Sequence, residues 1–312
     1  MKQAPVLLMT YRRFNNTKKI LNLLKKFKQK NIYVFNDGLK IRSHKSSHDL
    51  TRNYIKDFKK KNPSIKIILP KKNLTQKRNL PFALKQVFKK NKYAVILEDD
   101  CIPNREFFKF VNILLIRFFN DERIAQISGV NLINHRGFKR RNNDSYFFSK
   151  FTSSWGWATW KNRWENFYDE NILDWPKVKK ENWLKDILNN KKSIEFWEKY
   201  LDRRYNLIDD DWDKPWTFIN LINNRLSIYP CKNLITNSGE DQFAIHRNPK
   251  KWNNVKLQKI NFPLKHPKII VQDLMADNFI TNEGYSNPPI SYRIKNRIFK
   301  HLKKFKTSND ES

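Results

Sequence analysis

The chain is poor in the residues on which several common kinds of site and fold depend. Its 312 residues include 2 cysteines and 6 glycines. The spacing of Cys101 and Cys231 fits neither a zinc site nor a disulfide framework, and so few cysteines are typical of a reducing cytosol. No apolar run approaches the ~18 residues that a membrane-spanning helix needs, and the N-terminal PVLLM is too short for the core of a signal peptide. The sequence therefore predicts a cytoplasmic protein.

Acidic residues are scarce as well. The chain has 30 Asp and Glu against 63 Lys and Arg, which gives a net charge of +33. Such a charge is compatible with nucleic-acid binding, with attraction to an anionic membrane surface, or with a Lys- and Asn-rich coding bias. Because the positive charge is spread along the whole chain, we favour coding bias with membrane attraction and predict no specific nucleic-acid partner. The 14% of aromatic residues is not the composition of a disordered chain.

Short apolar runs alternate with longer Lys-rich segments in the N-terminal part of the chain. The segments Thr17 to Lys30, Leu80 to Lys90 and Arg105 to Asn120 have apolar residues at helical spacing. This alternation predicts an α/β fold with a mainly parallel sheet flanked by helices. The predicted strands are Val6–Met9, Ile32–Phe35, Ile65–Leu69, Tyr93–Leu97 and Ile124–Ile127.

The pattern changes after Asn131. Residues 135–144 are polar and basic, which is typical of a loop, and SYFFSKF after them predicts a strand. Residues 181–223 have helical spacing, and Leu226–Tyr229 is another short apolar run. From Lys250 onward the pattern weakens into an irregular tail with scattered prolines. The second part is therefore predicted to be of α+β type.

The densest local negative charge lies in YAVILEDDCIPN, where a predicted strand ends in Glu98, Asp99 and Asp100. Three adjacent carboxylates repel one another, so we expect a positive charge beside them. The chain has no P-loop and no GxGxxG to hold phosphates, whereas carboxylates bind Mg²⁺ or Mn²⁺ that share their ligand shell with phosphate. On an extended strand, Asp99 would point away from the other two acids. From the acids alone, a solvated turn that caps the next helix is an equally good interpretation.

Further motifs surround the acids in a fixed order. They are PVLLMTYRR, FNDG at Phe35 to Gly38, NLPFALKQVF before the acids, and then SSWGWATW, DDDWDKPW and GEDQFAIH. Together they resemble nucleotide-sugar glycosyltransferases of the GT-A fold, in the bacterial family-two-like group. The acid triplet is similar to the EDD of the N-glycan-branching N-acetylglucosaminyltransferases. The resemblance covers roughly residues 4 to 250.

The resemblance implies a role for each residue of a donor site. Asp100 would be the direct ligand of Mn²⁺ or Mg²⁺, and His246 would reach the metal or the diphosphate, unless it is an exposed loop histidine. Arg12 would face the diphosphate, because a guanidinium fork matches phosphate oxygens. Asp37 would hold a uracil-like base. The donor-contacting residues implied in this way are Thr10, Tyr11, Arg12, Asp37, Arg78, Asn79, Glu98 and Asp99.

An inverting transferase also needs a general base for the acceptor hydroxyl. We favour Asp213 in DDDWDKPW, between Trp212 and Trp216, whose rings would be aromatic walls that stack on sugars. Asp211 is an alternative base, and so are Glu240 and Asp241, which otherwise belong to an acceptor-side loop. Of the tryptophans in SSWGWATW, we place Trp155 near the site together with Gly156, and Trp160 in the core.

The resulting hypothesis is a cytoplasmic, metal-dependent, inverting glycosyltransferase. It would transfer a sugar from a nucleoside-diphosphate donor, UDP-linked by preference, to a glycan or lipid-linked glycan in surface polysaccharide biosynthesis. Residues 1–250 would form the catalytic domain, with a donor half at 1–130 and an acceptor half at 131–250, followed by a tail at 251–312. The alternatives are a metal-dependent nuclease or nucleotidyltransferase, and a non-catalytic glycan-binding relative.

The tail contains one further pattern. Between Ser291 and Lys306, apolar residues recur at intervals of one, three and four, and basic residues cover much of the remainder. This pattern predicts a basic amphipathic helix, which is a common way to lie in a membrane interface. A helix that packs its apolar stripe on the catalytic domain is the alternative.

Overall fold

The computed structural model describes residues 3–131, 133, 137–138, 140–237 and 255–284. Within these ranges the chain forms ten strands and ten α-helices. The strands are β1 (Val6–Thr10), β2 (Ile32–Asn36), β3 (Lys66–Ile68), β4 (Tyr93–Glu98), β5 (Cys101–Pro103), β6 (Ile124–Ser128), β7 (Tyr146–Ser149), β8 (Trp157–Trp160), β9 (Leu226–Pro230) and β10 (Ile235–Asn237).

The helices are α1 (Phe14–Lys26), α2 (Lys45–Lys61), α3 (Thr75–Phe88), α4 (Arg105–Arg117), α5 (Lys161–Phe167), α6 (Trp175–Lys180), α7 (Trp183–Leu188), α8 (Lys191–Tyr205), α9 (Asp213–Ile222) and α10 (Leu274–Gly284). A 3₁₀ turn at Arg42–His44 precedes α2. The predicted helices of the N-terminal part are all present, with ends displaced by a few residues. Pro81 lies inside α3 rather than near its start, and α2 was not predicted.

Eight strands form one sheet in the order β3-β2-β1-β4-β8-β6-β9-β7. The strands β3, β2, β1 and β4 are parallel, and β6 is parallel to β9. Strand β8 is antiparallel to both of its neighbours, β4 and β6, and β7 is antiparallel to β9. The predicted fold class, an α/β fold with a mainly parallel sheet flanked by helices, is confirmed. Strands β5 and β10 form a separate antiparallel pair.

Both faces of the sheet are buried, as the continuous apolar runs of the strands require. Successive side chains of β1 enter different cores: Val6 and Leu8 pack in the core that contains residues of α1, α2 and α4. Leu7 and Met9 pack in the core that contains residues of α3 and α9. Every residue of β1 and β2 is buried. This two-sided burial leaves the strand ends as the natural place for a polar site.

The donor half and the acceptor half of the prediction share this sheet. Strand β8, from the second half, lies between β4 and β6 of the first. Beyond it, α6, α7, α8 and α9 form a smaller core around Trp175, Leu201 and Phe218. The boundary proposed at residue 130 therefore separates parts of a continuous sheet.

The last described segment packs back on the sheet. The buried carboxylate of Asp277 on α10 accepts hydrogen bonds from Ser149 Oγ (2.5 Å), Lys150 N (3.0 Å) and Gln272 Nε2 (2.7 Å). The predicted amphipathic helix between Ser291 and Lys306 lies outside the described residues. None of the helices in the described part of the chain is long and apolar enough to cross a membrane.

Candidate active site

The carboxyl ends of β1, β2 and β4 meet at one edge of the sheet, where ligands of such sheets bind. Met9 of β1 pairs with Glu98 of β4, so the loop after β1 faces the acids that follow β4. The backbone N–H of Tyr11 in that loop lies 3.4 Å from Asp99 Oδ2. The structure therefore brings the first predicted motif and the acid triplet into contact.

The positive charge beside the acids is Arg13. Its Nη1 donates a hydrogen bond to Asp99 Oδ1 at 2.8 Å and another to Asp100 Oδ2 at 3.1 Å. The three side chains are 16%, 8% and 13% exposed, so water screens this ion pair less than it screens a surface pair. Arg13 is thus the positive charge that we expected beside the acids, while the role of Arg12 at the diphosphate stays a prediction.

Burial dominates the protonation of the acids. It raises the pKa of Asp99 to about 6, with Arg13 opposing the shift and the charge of Asp100 adding to it. Burial also raises the pKa of Glu98 well above its usual range, and the charges of Asp100, Asp99 and Asp213 raise it further. A cation bound among these carboxylates would favour their ionised forms and so lower these pKa values.

The geometry of the acid pair suits a divalent cation. Asp99 follows β4 in a turn, so Asp99 and Asp100 do not point in opposite directions, and one oxygen of each approaches the same Arg13 atom. Across the described residues, no group of three or more His, Cys, Asp or Glu side chains is arranged to hold a metal ion. Mg²⁺ and Mn²⁺ need fewer protein ligands, because they keep waters and share substrate phosphates. The donor set therefore fits such an ion once Arg13 moves.

Asp37 lies at the end of β2 and is almost fully buried. Its Oδ1 accepts hydrogen bonds from Gly38 N at 2.8 Å and Leu74 N at 2.9 Å. Burial raises the pKa of Asp37 against these hydrogen bonds and the charge of Arg52, which lower it. Arg52 holds the backbone here, because its Nη2 donates to Asp37 O at 2.9 Å. The predicted base-binding carboxylate is thus fixed in place and joins β2 to the start of α3.

Two histidines that the sequence analysis did not single out surround Tyr11. The Tyr11 hydroxyl lies 3.0 Å from His44 Nδ1, and its ring packs on both His44 and His48. Burial lowers the pKa of His44, and the charges of Arg12 and Lys40 lower it further. The Tyr11 ring therefore packs against two histidines, and its role in a nucleotide loop stays a prediction.

Thr10 does not face this site. It is 5% exposed, and its hydroxyl donates to Phe35 O at 2.8 Å and accepts from Asn36 Nδ2 at 3.1 Å. These hydrogen bonds join β1 to β2. The prediction that Thr10 contacts the donor is therefore corrected to a role within the sheet.

Asp213 is the first residue of α9, and its charge acts on Glu98. The residue as a whole is half-buried. Burial raises the pKa of Asp213, the charge of Asp211 adds to this shift, and Lys214 opposes it. A carboxylate with a raised pKa is a better proton acceptor, which is the property that a general base needs.

Asp211, the alternative base, is held by cations. Its Oδ2 forms an ion pair with Lys214 Nζ, and its Oδ1 lies 3.8 Å from Arg204 Nε. Arg204 is fully buried and also donates to the backbone oxygens of Asp211 (3.0 Å) and Glu170 (2.5 Å). This network fixes the loop that leads into α9. Asp211 is therefore engaged in this network, and its role as an alternative base stays a prediction.

The tryptophans of the two motifs form a cluster in the core. Trp216 is 1% exposed, and its Nε1 donates to Gln126 Oε1 at 2.8 Å. Trp212 is 8% exposed and stacks on Trp157, with ring centroids 5.4 Å apart. Trp216 has no open face for a sugar and Trp212 has very little, so the prediction of two aromatic walls is wrong for Trp216. As predicted, Trp160 lies in the core.

Gly156 and Trp155 lie just before β8, beside the end of β6. Gly156 has φ +61°, and a side chain there would place Cβ 2.7 Å from Ile235 Cδ1. Its oxygen accepts a hydrogen bond from Gly129 N at 2.8 Å. Glycine at this position is thus explained by packing against β10. Trp155 is half-buried against the same core and is compatible with a place at the edge of the site.

Arg78 and Asn79 lie in α3, whose start contacts both Asp37 and the loop before α9. Thr75 Oγ1 donates to Asp210 Oδ1 at 3.0 Å, so α3 and the Asp213 loop border the same space. Arg78 is exposed, and Asn79 Oδ1 accepts from Leu80 N at 2.6 Å. Glu240, Asp241 and His246 lie outside the described residues.

The chain is similar to several solved structures at low sequence identity. No family model and no curated protein matches the sequence. Among solved structures, it is similar to a mannosyltransferase from Pyrobaculum calidifontis in complex with GDP-Man and Mn²⁺, with a TM-score of 0.42 and 9% identity over 72% of this chain and 70% of that one.

Two other similar structures belong to different transferases. A 4-diphosphocytidyl-2C-methyl-D-erythritol synthase from Anaerococcus prevotii has a TM-score of 0.35 and 11% identity, over 64% of this chain and 97% of its own. A mannose-1-phosphate geranyltransferase from Thermus thermophilus has a TM-score of 0.32 and 7% identity, over 70% of this chain and 68% of its own. At such scores the similarity says nothing about a substrate, so the function has to follow from the residues of the site.

Proposed function

We propose that the chain is a metal-dependent, inverting glycosyltransferase of the GT-A fold that uses a nucleoside-diphosphate sugar. The observation that carries this proposal is the meeting of four groups at one edge of the sheet. These are the Tyr11 loop, the buried Asp37, the Asp99–Asp100 pair, and Asp213, whose charge acts on Glu98. They supply, in order, an aromatic surface, an acceptor for a base, ligands for a cation and a proton acceptor.

The donor half binds the nucleotide. Tyr11 and Asp37 take the nucleoside, with Asp37 accepting a hydrogen bond from the base, which we expect to be uracil. Asp100 and its neighbours hold Mn²⁺ or Mg²⁺, which supplies positive charge to the departing diphosphate when bound. Arg13 lies beside the acids, and we propose that Arg12, Arg78 and Asn79 contact the phosphates and the sugar.

The acceptor half provides the base. Asp213 removes the proton from an acceptor hydroxyl as that oxygen attacks the anomeric carbon. The attack comes from the face opposite the nucleoside diphosphate, so the bond to the diphosphate breaks and the configuration inverts. The raised pKa of Asp213 favours this proton transfer, and no covalent sugar–enzyme intermediate is needed.

The acceptor is proposed to be a glycan or lipid-linked glycan of a surface polysaccharide. The net charge of +33 and the basic segment between Ser291 and Lys306 support a position on an anionic membrane surface in the cytoplasm. A peripheral enzyme there would reach a lipid-linked acceptor.

The test is a panel of UDP-, GDP-, CDP- and dTDP-sugars with Mn²⁺, followed by thermal shift and by release of nucleoside diphosphate. We expect one class of donor to stabilise the protein in the presence of Mn²⁺ and to be consumed slowly. Asp100→Ala should remove the Mn²⁺-dependent part of donor binding with the fold intact. Asp57→Ala, an acid on α2 that is 62% exposed, is the matched control and should behave as the wild type.

Other products would support the alternatives. Cleavage of nucleic acid, or pyrophosphate release from a nucleoside triphosphate, would replace the proposal with a nuclease or a nucleotidyltransferase. Binding of glycans without any donor binding would indicate a non-catalytic relative.

A further inference from the structure

We propose that Arg13 is a resident counter-ion of the acid pair, which the divalent cation displaces and which then binds the diphosphate. This inference rests on the proposed function, because it concerns the same donor site. It gives one residue, Arg13, both the expected positive charge beside the acids and a contact with the diphosphate, which the sequence analysis gave to Arg12.

The first step of the argument is geometric. A single atom, Arg13 Nη1, lies 2.8 Å from Asp99 Oδ1 and 3.1 Å from Asp100 Oδ2. The remaining oxygens face other groups: Asp99 Oδ2 faces Tyr11 N at 3.4 Å, and Asp100 Oδ1 faces Cys101 Sγ at 3.5 Å. A cation that uses both carboxylates from the side on which they converge therefore takes the place of the guanidinium.

The second step concerns charge. Glu98, Asp99, Asp100 and Asp213 act on one another electrostatically in a largely buried site. Buried carboxylates that converge in this way destabilise the fold unless a positive group faces them. Arg13 is that group when no cation is bound. A divalent cation that binds without a nucleotide must displace Arg13, and the loss of this ion pair weakens the binding of the cation.

The third step concerns where Arg13 goes. It directly precedes α1 in the loop after β1, its side chain is 16% exposed, and its loop borders the proposed nucleotide site. A displaced guanidinium keeps all its donors and can bind two phosphate oxygens at once. The diphosphate therefore compensates for the lost ion pair. As a result, the cation and the nucleotide should bind cooperatively.

The experiment measures Mn²⁺ binding by calorimetry with and without UDP, and needs no turnover. In Arg13→Gln, we expect Mn²⁺ alone to bind about tenfold more tightly, because its competitor is gone, and the gain in Mn²⁺ affinity on adding UDP to fall by about tenfold. Without metal, this variant should also unfold at a lower temperature, and Mn²⁺ should raise that temperature more than in the wild type. Lys19→Gln, which removes an exposed charge from α1, is the control and should leave all three quantities unchanged.

A second variant and a direct measurement protect the test against misfolding. Arg13→Lys keeps the charge, so its affinity for Mn²⁺ alone should stay close to that of the wild type. In the wild type, the Nε–H resonance of Arg13 should shift when Mg²⁺ and UDP are added together. Unchanged Mn²⁺ affinity in Arg13→Gln, or equal tightening in Arg13→Lys, overturns the counter-ion role.

The two proposals fail in different ways. If the wild type transfers sugar but Arg13→Gln binds Mn²⁺ as before, the exchange is wrong and the function stands. If Arg13→Gln shows the expected binding but no sugar donor is consumed, the exchange stands and the transferase assignment is wrong.

Discussion

The indole N–H of Trp216 donates a 2.8 Å hydrogen bond to Gln126 Oε1, and both side chains are buried between α9 and β6. Trp216 lies about one helical turn after Asp213, so this hydrogen bond fixes the start of α9 to the sheet. Trp216, which is buried and would not contact the substrate, thus holds the proposed base in position. Preorganisation of this kind determines how well a catalytic group acts.

Trp216→Phe should therefore impair both stability and turnover. The free energy of unfolding should fall by about 1–3 kcal/mol, because Gln126 Oε1 is left buried without its donor. The turnover number should fall more than the affinity for the donor, because the donor residues lie on other elements. Chemical denaturation and steady-state kinetics measure the two effects. Trp183→Phe, at a position on α7 that is 42% exposed, should change neither.

Asp213→Asn should keep the fold and the affinity for the donor but lose turnover by about 10²–10⁴-fold, the usual range for a general base. The wild-type rate should increase as pH rises through the titration of Asp213, whose pKa is raised, because only the ionised form accepts the proton. The variant should lack this part of the pH profile. Weak donor binding with normal turnover at saturation would instead assign Asp213 to binding. Asp211→Asn should mainly lower stability, since Asp211 holds Lys214 and Arg204.

Asp277 should make stability depend on pH. Burial raises its pKa to about 6, against three hydrogen bonds that lower it. A raised carboxyl pKa adds stability at pH values below the unfolded pKa near 3.8, and this contribution is lost as pH rises through 6. The difference of roughly two pKa units corresponds to about 3 kcal/mol.

The measurement is the unfolding free energy of the wild type and of Asp277→Asn between pH 4.5 and 7.5. The Asp277→Asn variant should be less stable than the wild type at pH 4.5. The amide N–H₂ of its side chain would face one of the groups that donate hydrogen bonds to Asp277. The difference in unfolding free energy between the two proteins should become smaller as pH rises, because only the wild type acquires a buried charge. A gap that widens with pH would show that Asp277 is stabilised as the carboxylate.

Deletion of residues 290–312 tests the membrane surface. If the basic segment anchors the enzyme, the truncated protein should lose binding to vesicles that contain anionic lipid and keep activity on a soluble acceptor. Vesicles of neutral lipid serve as the control for charge. An insoluble truncated protein, or one that binds anionic vesicles as before, would show that the segment packs on the domain instead.

Local patterns were sufficient to predict most of the first half of the fold. Buried parallel strands are short apolar runs, so β1, β2, β3, β4 and β6 could be predicted with small errors at their ends. Strand β8 could not be predicted, because the sequence WATW is too short and too rich in aromatic residues to distinguish a strand from a buried loop. Helix α2 was not predicted, because its buried positions Thr51, Ile55 and Phe58 lie among many polar and charged residues.

Some features of the candidate site could likewise be predicted from the sequence, and others could not. The order of motifs predicts that the acids, Asp37 and Asp213 belong together. The sheet places the ends of β1, β2 and β4 at one edge, and the charge of Asp213 acts on Glu98 there. Which of two adjacent arginines meets the acids depends on where α1 begins, and sequence does not resolve a single residue at a helix start. Trp216 bonds to Gln126, which lies 90 residues earlier in the chain, and Asp211 pairs with the buried Arg204. No local sequence pattern reveals either contact.

The position of β8 has a consequence for synthesis on the ribosome. During translation, β4 has a neighbour only in β1 until residues 157–160 emerge, and β6 gains its second neighbour only when β9 follows at residues 226–230. Pairings this distant in sequence form slowly, because a long loop must close before any contact repays it. A nascent chain stopped near residue 130 would therefore carry one open edge on β4 and two on β6, and its dependence on chaperones should fall once β8 and β9 are made.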